Sequence, residues 1–229
     1  MTSAKASSER FEELTRIRDE ELRRRGIARG EAAQGVGNII IRFNPEDRER
    51  QAHLLQWGLV PHWAEDRASP LINARAETVA ELASFRESFA RRRCLIPSSW
   101  FIERKNVGQP RGKEYAFGRP DGRALTMAGI WDAWRDPETG EWLRTYAMIT
   151  TEPNELVGAV HDRMPAILVQ EQFAAWLGEV PATQDELLAM LAPFPSNLLV
   201  SWPAKGKRPP PGQTPQPGVL KRAQQPSLL

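Results

Sequence analysis

The sequence predicts a single mixed α+β domain, and three observations point to it. Short apolar runs bounded by Gly, Pro, Asn and Asp recur along most of the chain, the pattern of strands closed by turns. Helical patterns fall between some of these runs without alternating regularly, which argues against a doubly wound sheet. Neither GxGxxG nor GxxxxGK followed by Ser or Thr occurs, so no dinucleotide or nucleoside triphosphate site has motif support.

Residues 1–8 are small and polar. From Glu9 to Arg25, Phe11, Leu14, Ile17 and Leu22 recur on one face among charges, which predicts an amphipathic surface helix. Glycines at 26, 30, 35 and 37 break the chain before a strand at 38–42, closed by Asn44-Pro45-Glu46-Asp47. The stretch 54–60, ending at Pro61, and the short 71–73 are the next extended pieces. The clearest helix is 77–91, with Val79, Leu82, Phe85 and Phe89 on its buried side. Two short extended pieces, 94–97 and 100–103, flank Pro97-Ser98-Ser99. Strands follow at 114–117, 125–131, 142–150 and 165–169, with helices starting near 152 and covering 171–177 and 183–191. Three segments result: an N-terminal helix and variable segment at 1–37, the folded domain at 38–203, and a Pro-rich tail at 204–229 with no predicted fold.

With 229 residues, 41% of them hydrophobic and eight of them Trp, the chain can build one sizeable core. A formal charge of +2 makes it weakly basic, compatible with a basic groove set in a neutral remainder. The single Cys, Cys94, excludes an intramolecular disulfide, and no Cys/His cluster has metal-ligand spacing, so no metal or cofactor is expected. No apolar run of about 18 residues and no signal-peptide core is present, which predicts a cytoplasmic protein, nucleoid-associated if bacterial, with no membrane contact; a monomer is expected.

Polar residues next to apolar strand ends are where chemistry concentrates. Asn73 directly follows Leu71-Ile72 and reads either as a turn amide or as a substrate contact; Arg75 and Glu77 read as a surface pair or as part of the same row. Glu103 ends Trp100-Phe101-Ile102, whose alternation aims Phe101 and Glu103 to one side; a desolvated carboxylate there suits proton transfer, a solvated edge residue does not. His161, between Val160 and Asp162-Arg163, is either structural or a loop-borne proton carrier, since imidazole exchanges protons near neutrality. Trp63 can stack on a base or cover the core's edge. Arg75, Arg86, Arg91, Arg92 and Arg93 would contact phosphates if they line one groove, or simply sit at a solvated helix end. Cys94, in an apolar run, has the weakest claim.

Taken together, Gln56-Trp57-Gly58-Leu59-Val60-Pro61-His62-Trp63, Leu71-Ile72-Asn73-Ala74-Arg75-Ala76-Glu77-Thr78, Arg92 to Pro97, Trp100 to Glu103, Ala128 to Trp131, Ile149 to Asn154 and His161-Asp162-Arg163-Met164-Pro165 resemble the SOS response-associated peptidase (SRAP) family across roughly residues 52–180. The resemblance implies a barrel-like core of mostly antiparallel strands with flanking helices, and a cationic groove for single-stranded DNA. It further implies action on abasic sites, with an N-terminal Cys closing a thiazolidine on the opened sugar. By position it implies Asn73, Glu103 and His161 as catalytic residues and Trp63, Arg75 and Arg86 as DNA contacts.

The departure lies at the nucleophile, because the chain begins Met1-Thr2-Ser3 and Ser8-Glu9-Arg10-Phe11 stands where Cys-Gly-Arg-Phe is expected. Thr2 and Ser8 are the candidate positions, and a hydroxyl is a far weaker nucleophile than a thiol near neutral pH. Three readings follow: an abasic-site protein with covalent aldehyde chemistry; a binder of single-stranded DNA without a durable crosslink; and, if the resemblance misleads, a small hydrolase using Glu103 and His161.

Overall fold

The structure is a computed structural model that describes residues 12–20, 23–24, 37–67, 69–106 and 112–206. Thr2, Ser8 and the tail from 207 lie outside the described residues, as does most of the segment 21–36.

Five strands close a barrel: β1 (Gly37–Asn44), β2 (Glu49–Trp57), β4 (Arg93–Ser98), β7 (Leu125–Arg135) and β8 (Trp142–Thr151). They run in the order β2-β1-β4-β7-β8, and β8 returns to β2 to shut the ring. Four of the junctions are antiparallel and the closing one, Gln56 and Trp57 on Thr145 and Tyr146, is parallel. The core is therefore the α+β, mostly antiparallel barrel with flanking helices that the resemblance implies.

Strand alternation builds two cores from this one ring. Ile40, Leu55, Cys94, Met127 and Tyr146 fill one face. Their sequence neighbours Leu95, Ala128 and Ala147, and Ile149 two residues beyond Ala147, face the other way, against Phe89 of α2 (Arg86–Arg91), Trp176 and Leu177 of α4 (Phe173–Leu177) and Leu187 of α5 (Gln184–Ala189). Because the helices pack on the second set, the first set is the barrel's interior. Trp176 is fully buried, meets Phe89 edge-on at 6.0 Å and donates its indole N–H to the Cys94 carbonyl at 2.9 Å. At Gly129 a Cβ would stand 2.7 Å from Ile96 Cδ1 and 3.0 Å from Cys94 Sγ. Gly129→Ala should therefore overpack the interior and lower stability by about 1–2 kcal/mol in a denaturant titration.

At one end the barrel opens. Beyond Gly129 and Met148, β7 and β8 part and β9 (Met164–Pro165) enters, with Ala166 bonded to Ala128 and Ile149. On the other edge of β8, β3 (Asn73–Arg75) takes over from β2. A second sheet, ordered β10 (Val200–Pro203), β6 (Glu114–Gly118), β5 (Phe101–Arg104), stands by this opening, with Phe101 stacked on Phe117 at 5.1 Å. In α1, residues 12–20, Leu14 is buried. Among the described residues no helix is long and apolar enough to cross a membrane.

Several elements differ from the sequence reading. The helix expected at 77–91 is a series of turns followed by the short α2, and Leu82 is 48% exposed instead of buried. The cause is anchoring at its start: Ala76 N–H is held by the Thr150 carbonyl and the Glu77 carboxylate by Arg163, so the chain is steered by the sheet before a helical period begins. The strand expected at 54–60 starts earlier, at Glu49, and stops at Trp57, because Gly58 takes φ 114°. The expected strand at 165–169 shrinks to β9 and an isolated Met127–Ile167 bridge. Thr183 does start its helix, through a reciprocal capping box with Glu186.

Candidate functional site

β5 carries Glu103 to the barrel's open end. Its alternation is as expected: Phe101 is buried, Ile102 is 42% exposed, and Glu103 points back toward Phe101's side. The opposing group arrives on another segment. Asn154 caps α3 (Glu155–Gly158) by accepting the Val157 N–H, and His161 N–H then closes on the Val157 carbonyl, which fixes the residue just after the helix. Asn106, immediately beyond β5, ties the two segments together. Its backbone N–H bonds the Val160 carbonyl at 3.0 Å, and its side-chain amide donates to Asp162 at 2.9 Å.

The result is a carboxylate–imidazole pair, with His161 Nδ1 3.7 Å from Glu103 Oε2 and 3.3 Å from Asp162 Oδ1. His161 Nδ1 also lies 3.1 Å from the Arg163 backbone nitrogen and 3.2 Å from its carbonyl oxygen, so the backbone of Arg163 holds the ring in place. Burial pushes the Glu103 carboxyl up to about 7; the imidazole draws it down in part, and Asp162 raises it further. Asp162 goes the other way, held low by the Asn106 hydrogen bond first. Two carboxylates next to one imidazole are thus set apart, one half-protonated near neutrality and one ionised.

Arg163 links this pair to the opening row at 73–77. Its guanidinium grips Glu77 with two bonds of 2.8 Å and the Thr150 carbonyl at 2.7 Å, and Thr150 is the ladder partner of Arg75. In β3, Ala74 is buried while Asn73 and Arg75 are exposed on the same side. Neither side chain makes a hydrogen bond or ion pair with a described residue, and Glu77, the acid nearest in sequence to Arg75, is already engaged by Arg163. Asn73 does not touch the Glu103–His161 pair; it stands on the adjoining strand.

The remaining candidates gather elsewhere. Asp132 of β7, almost wholly buried, accepts the His62 backbone N–H at 3.0 Å, faces His62 Nδ1 at 3.1 Å and pairs with Arg92 at 3.2 Å. Glu87 meets Arg92 at 3.1 Å and His62 Nε2 at 3.6 Å. This network holds the loop bearing Trp63, 56% exposed, beside the start of α2, where Arg86 is exposed. Sequence reasoning missed Asp132, Asn106 and Arg163 as organisers, since each acts through a partner far along the chain.

The arginine run does not line one groove. Arg93 bonds the carbonyls of Phe89, Ala90 and Trp176, and Arg92 is taken by Asp132 and Glu87, which leaves Arg75, Arg86 and Arg91 outward. Cys94 is fully buried and its thiol is pushed up by burial, so it is no nucleophile. Among the described residues no group of three or more His, Cys, Asp or Glu could hold a metal ion.

A closed five-strand barrel with an acid–imidazole pair at its open end defines the class. The family described as SOS response associated peptidase (SRAP) matches residues 2–207, and the chain belongs to that family. The abasic site processing protein YoqW of Bacillus subtilis (strain 168) is 36% identical over 167 residues, covering 72% of this chain and 74% of that one. The abasic site processing protein HMCES of Xenopus tropicalis is 32% identical over 167 residues, 62% of this chain and 50% of HMCES, so the match spans half of that longer protein. Among solved structures, a Bacteroides thetaiotaomicron protein superposes with a TM-score of 0.67 at 31% identity, covering 74% of each chain. A Bordetella bronchiseptica protein does so at 0.66 and 28%, covering 81% of this chain and 95% of the other.

Proposed function

We propose that this protein binds single-stranded DNA at abasic sites and holds the opened sugar without a durable covalent link. The observation that carries the reading is the Glu103–His161 pair, 3.7 Å apart, with a carboxyl pushed up to about 7 beside a strand that offers Asn73 and Arg75 outward. An abasic deoxyribose opens to its aldehyde when the C1′–O4′ bond breaks, the anomeric hydroxyl giving up its proton and O4′ taking one, and closes by the reverse. A carboxyl that is half-protonated near neutrality, next to an imidazole, can give or take such a proton. Arg75, with no ion pair among the described residues, supplies a phosphate contact, and Asn73 supplies an amide to the sugar.

Relatives whose names describe abasic site processing support the substrate class. Against a durable crosslink stands the thiol count. A thiazolidine needs an amine and a thiol on one residue, and the single Cys, Cys94, is mid-chain and buried.

A denaturing gel after incubation with an abasic single-stranded oligonucleotide tests the division. Shifted protein that appears only with borohydride indicates a reversible imine, formed with loss of water between the sugar aldehyde and a primary amine of the protein, and fits the proposal; a heat-stable shifted band without borohydride contradicts it. Arg75→Ala should weaken binding and reduce the slope of log affinity against log salt by about 0.7, the increment expected for one phosphate contact on a single strand. His161→Ala should leave that slope unchanged while altering imine yield. Equal losses of affinity from both substitutions would contradict these roles.

A further inference from the structure

An imine needs a primary amine, and the chain carries lysines at 5, 105, 113, 205, 207 and 221 besides its amino terminus. Lys5, Lys207, Lys221 and the terminus lie outside the described residues. Of the others, Lys105 directly follows β5, the strand that bears Glu103. Its backbone N–H bonds the Lys113 carbonyl at 2.7 Å and its carbonyl accepts the Gly112 N–H at 3.2 Å, while the next N–H, that of Asn106, turns the other way to the Val160 carbonyl at 3.0 Å. Successive N–H groups pointing to opposite sides mark extended backbone, so the alternation of β5 runs on through 106. Burial follows the same period. Ile102, Arg104 and Asn106 are exposed, whereas Glu103 and Lys105 are half-buried on the other face.

Lys105 therefore stands on the face of the acid–imidazole pair. Two residues of strand separate it from Glu103, about 7 Å, a span that a flexible four-carbon stem covers. The bond to Val160 ties its peptide to the residue before His161. Its side-chain nitrogen makes no hydrogen bond or ion pair with a described residue. The neighbouring acids are engaged elsewhere, Glu114 by Arg104 at 2.9 Å and Asp162 by Asn106 at 2.9 Å. Lys113 and Lys205 are exposed, and Lys205 follows β10, the far strand of the small sheet.

We infer that Lys105 is the amine that forms the imine with the opened abasic sugar; this rests on the abasic-site reading above and names the residue that reading requires. The step balances within the site. The Lys105 ammonium gives one proton to the His161 imidazole, and its nitrogen pair forms a bond to C1′ as the aldehyde oxygen takes the Glu103 proton. The nitrogen then returns a proton to the Glu103 carboxylate. The hydroxyl leaves C1′ as water, with the proton held by His161, while the nitrogen pair closes the C=N bond. Ammonium and aldehyde become protonated imine and water, and both groups regain their starting state. A carboxyl pushed up to about 7 is suited to giving and retaking that proton. Water reverses the sequence, so the link is not durable.

The test traps the parent protein on an abasic single-stranded oligonucleotide with borohydride, which reduces the imine to a stable secondary amine. Nuclease and protease digestion followed by mass spectrometry then locates the sugar remnant, expected on Lys105. Lys105→Arg keeps the charge but forms no imine, and should lower the trapped yield about tenfold or more, far more than it lowers affinity measured by anisotropy. Lys113→Arg should trap as the parent does. The location found in the parent decides the matter even if Lys105→Arg fails to fold. A remnant on the amino terminus, Lys113 or any other lysine, or parental trapping by Lys105→Arg, overturns the Lys105 assignment and leaves the imine reading standing. Absence of trapping in the parent overturns that reading and this assignment with it.

Discussion

Asp132→Ala lowers the stability of the protein by about 3–5 kcal/mol, the scale expected when one partner of a buried ion pair is removed. Asp132 is 3% exposed and serves the His62 backbone, the His62 ring and Arg92 at once. Its loss strands the Arg92 guanidinium with Glu87 as its remaining carboxylate and leaves the His62 N–H without its acceptor. Asp132→Asn keeps an oxygen for that N–H and should recover part of the loss. A denaturant titration read at constant m-value measures both variants. The same network holds the loop of Trp63, so Asp132→Ala should also weaken DNA binding in the fraction that remains folded, whereas a purely local packing role would leave affinity intact.

Glu103→Gln has its effect through pH. Folding lifts the Glu103 carboxyl from its ordinary 4.5 to about 7, chiefly by burial, against the pull of His161. Between those values the folded protein keeps a proton that the unfolded chain has released, so this group makes stability fall as pH rises through that window. Above pH 7 the buried carboxylate costs on the order of 2–3 kcal/mol. Glu103→Gln removes the titration, so the variant should match the parent near pH 4.5 and exceed it at pH 8. Parallel stability profiles for the two proteins would show that Glu103 is not lifted. The abasic preference should follow the opposite logic. It needs the protonated carboxyl, so in the parent it should fade as pH rises through about 7 and in the variant stay flat.

Much of the barrel was legible because alternation in strands is local. Apolar runs between turn residues marked 38–42, 125–131 and 142–150, which fall within the observed strands Gly37–Asn44, Leu125–Arg135 and Trp142–Thr151, and the Phe101/Glu103 side was read from a period of two. What failed was set by distant partners. The turns at 77–85 follow from Glu77 being held by Arg163, 86 residues away, and no helical period announces that. The polar start of β2, Glu49 to His53, pairs with β1 in an exposed to half-buried stretch and carries no run of apolar residues. β10 is an edge strand of a small satellite sheet, with too few residues to show a period.

The site divides along the same line. Glu103 and His161 could be singled out from residue type and neighbours, and the structure brings them together. Asn73 and Arg75 share an exposed face of β3, as their two-residue spacing requires, but Asn73 stands off the pair. Arg92 and Arg93 looked like phosphate ligands in a basic run, yet their partners are Asp132 and three backbone carbonyls, none of them visible from the local sequence.

Abasic recognition through Glu103 is tested most directly by one titration, an anisotropy measurement of low-salt binding to a single-stranded oligonucleotide with one abasic site against the same strand intact. Saturable binding to both is expected, tighter for the abasic strand at pH 6 than at pH 8, with the gap closed in Glu103→Gln. Equal affinity for the two strands at every pH, or no binding to either, would contradict that recognition.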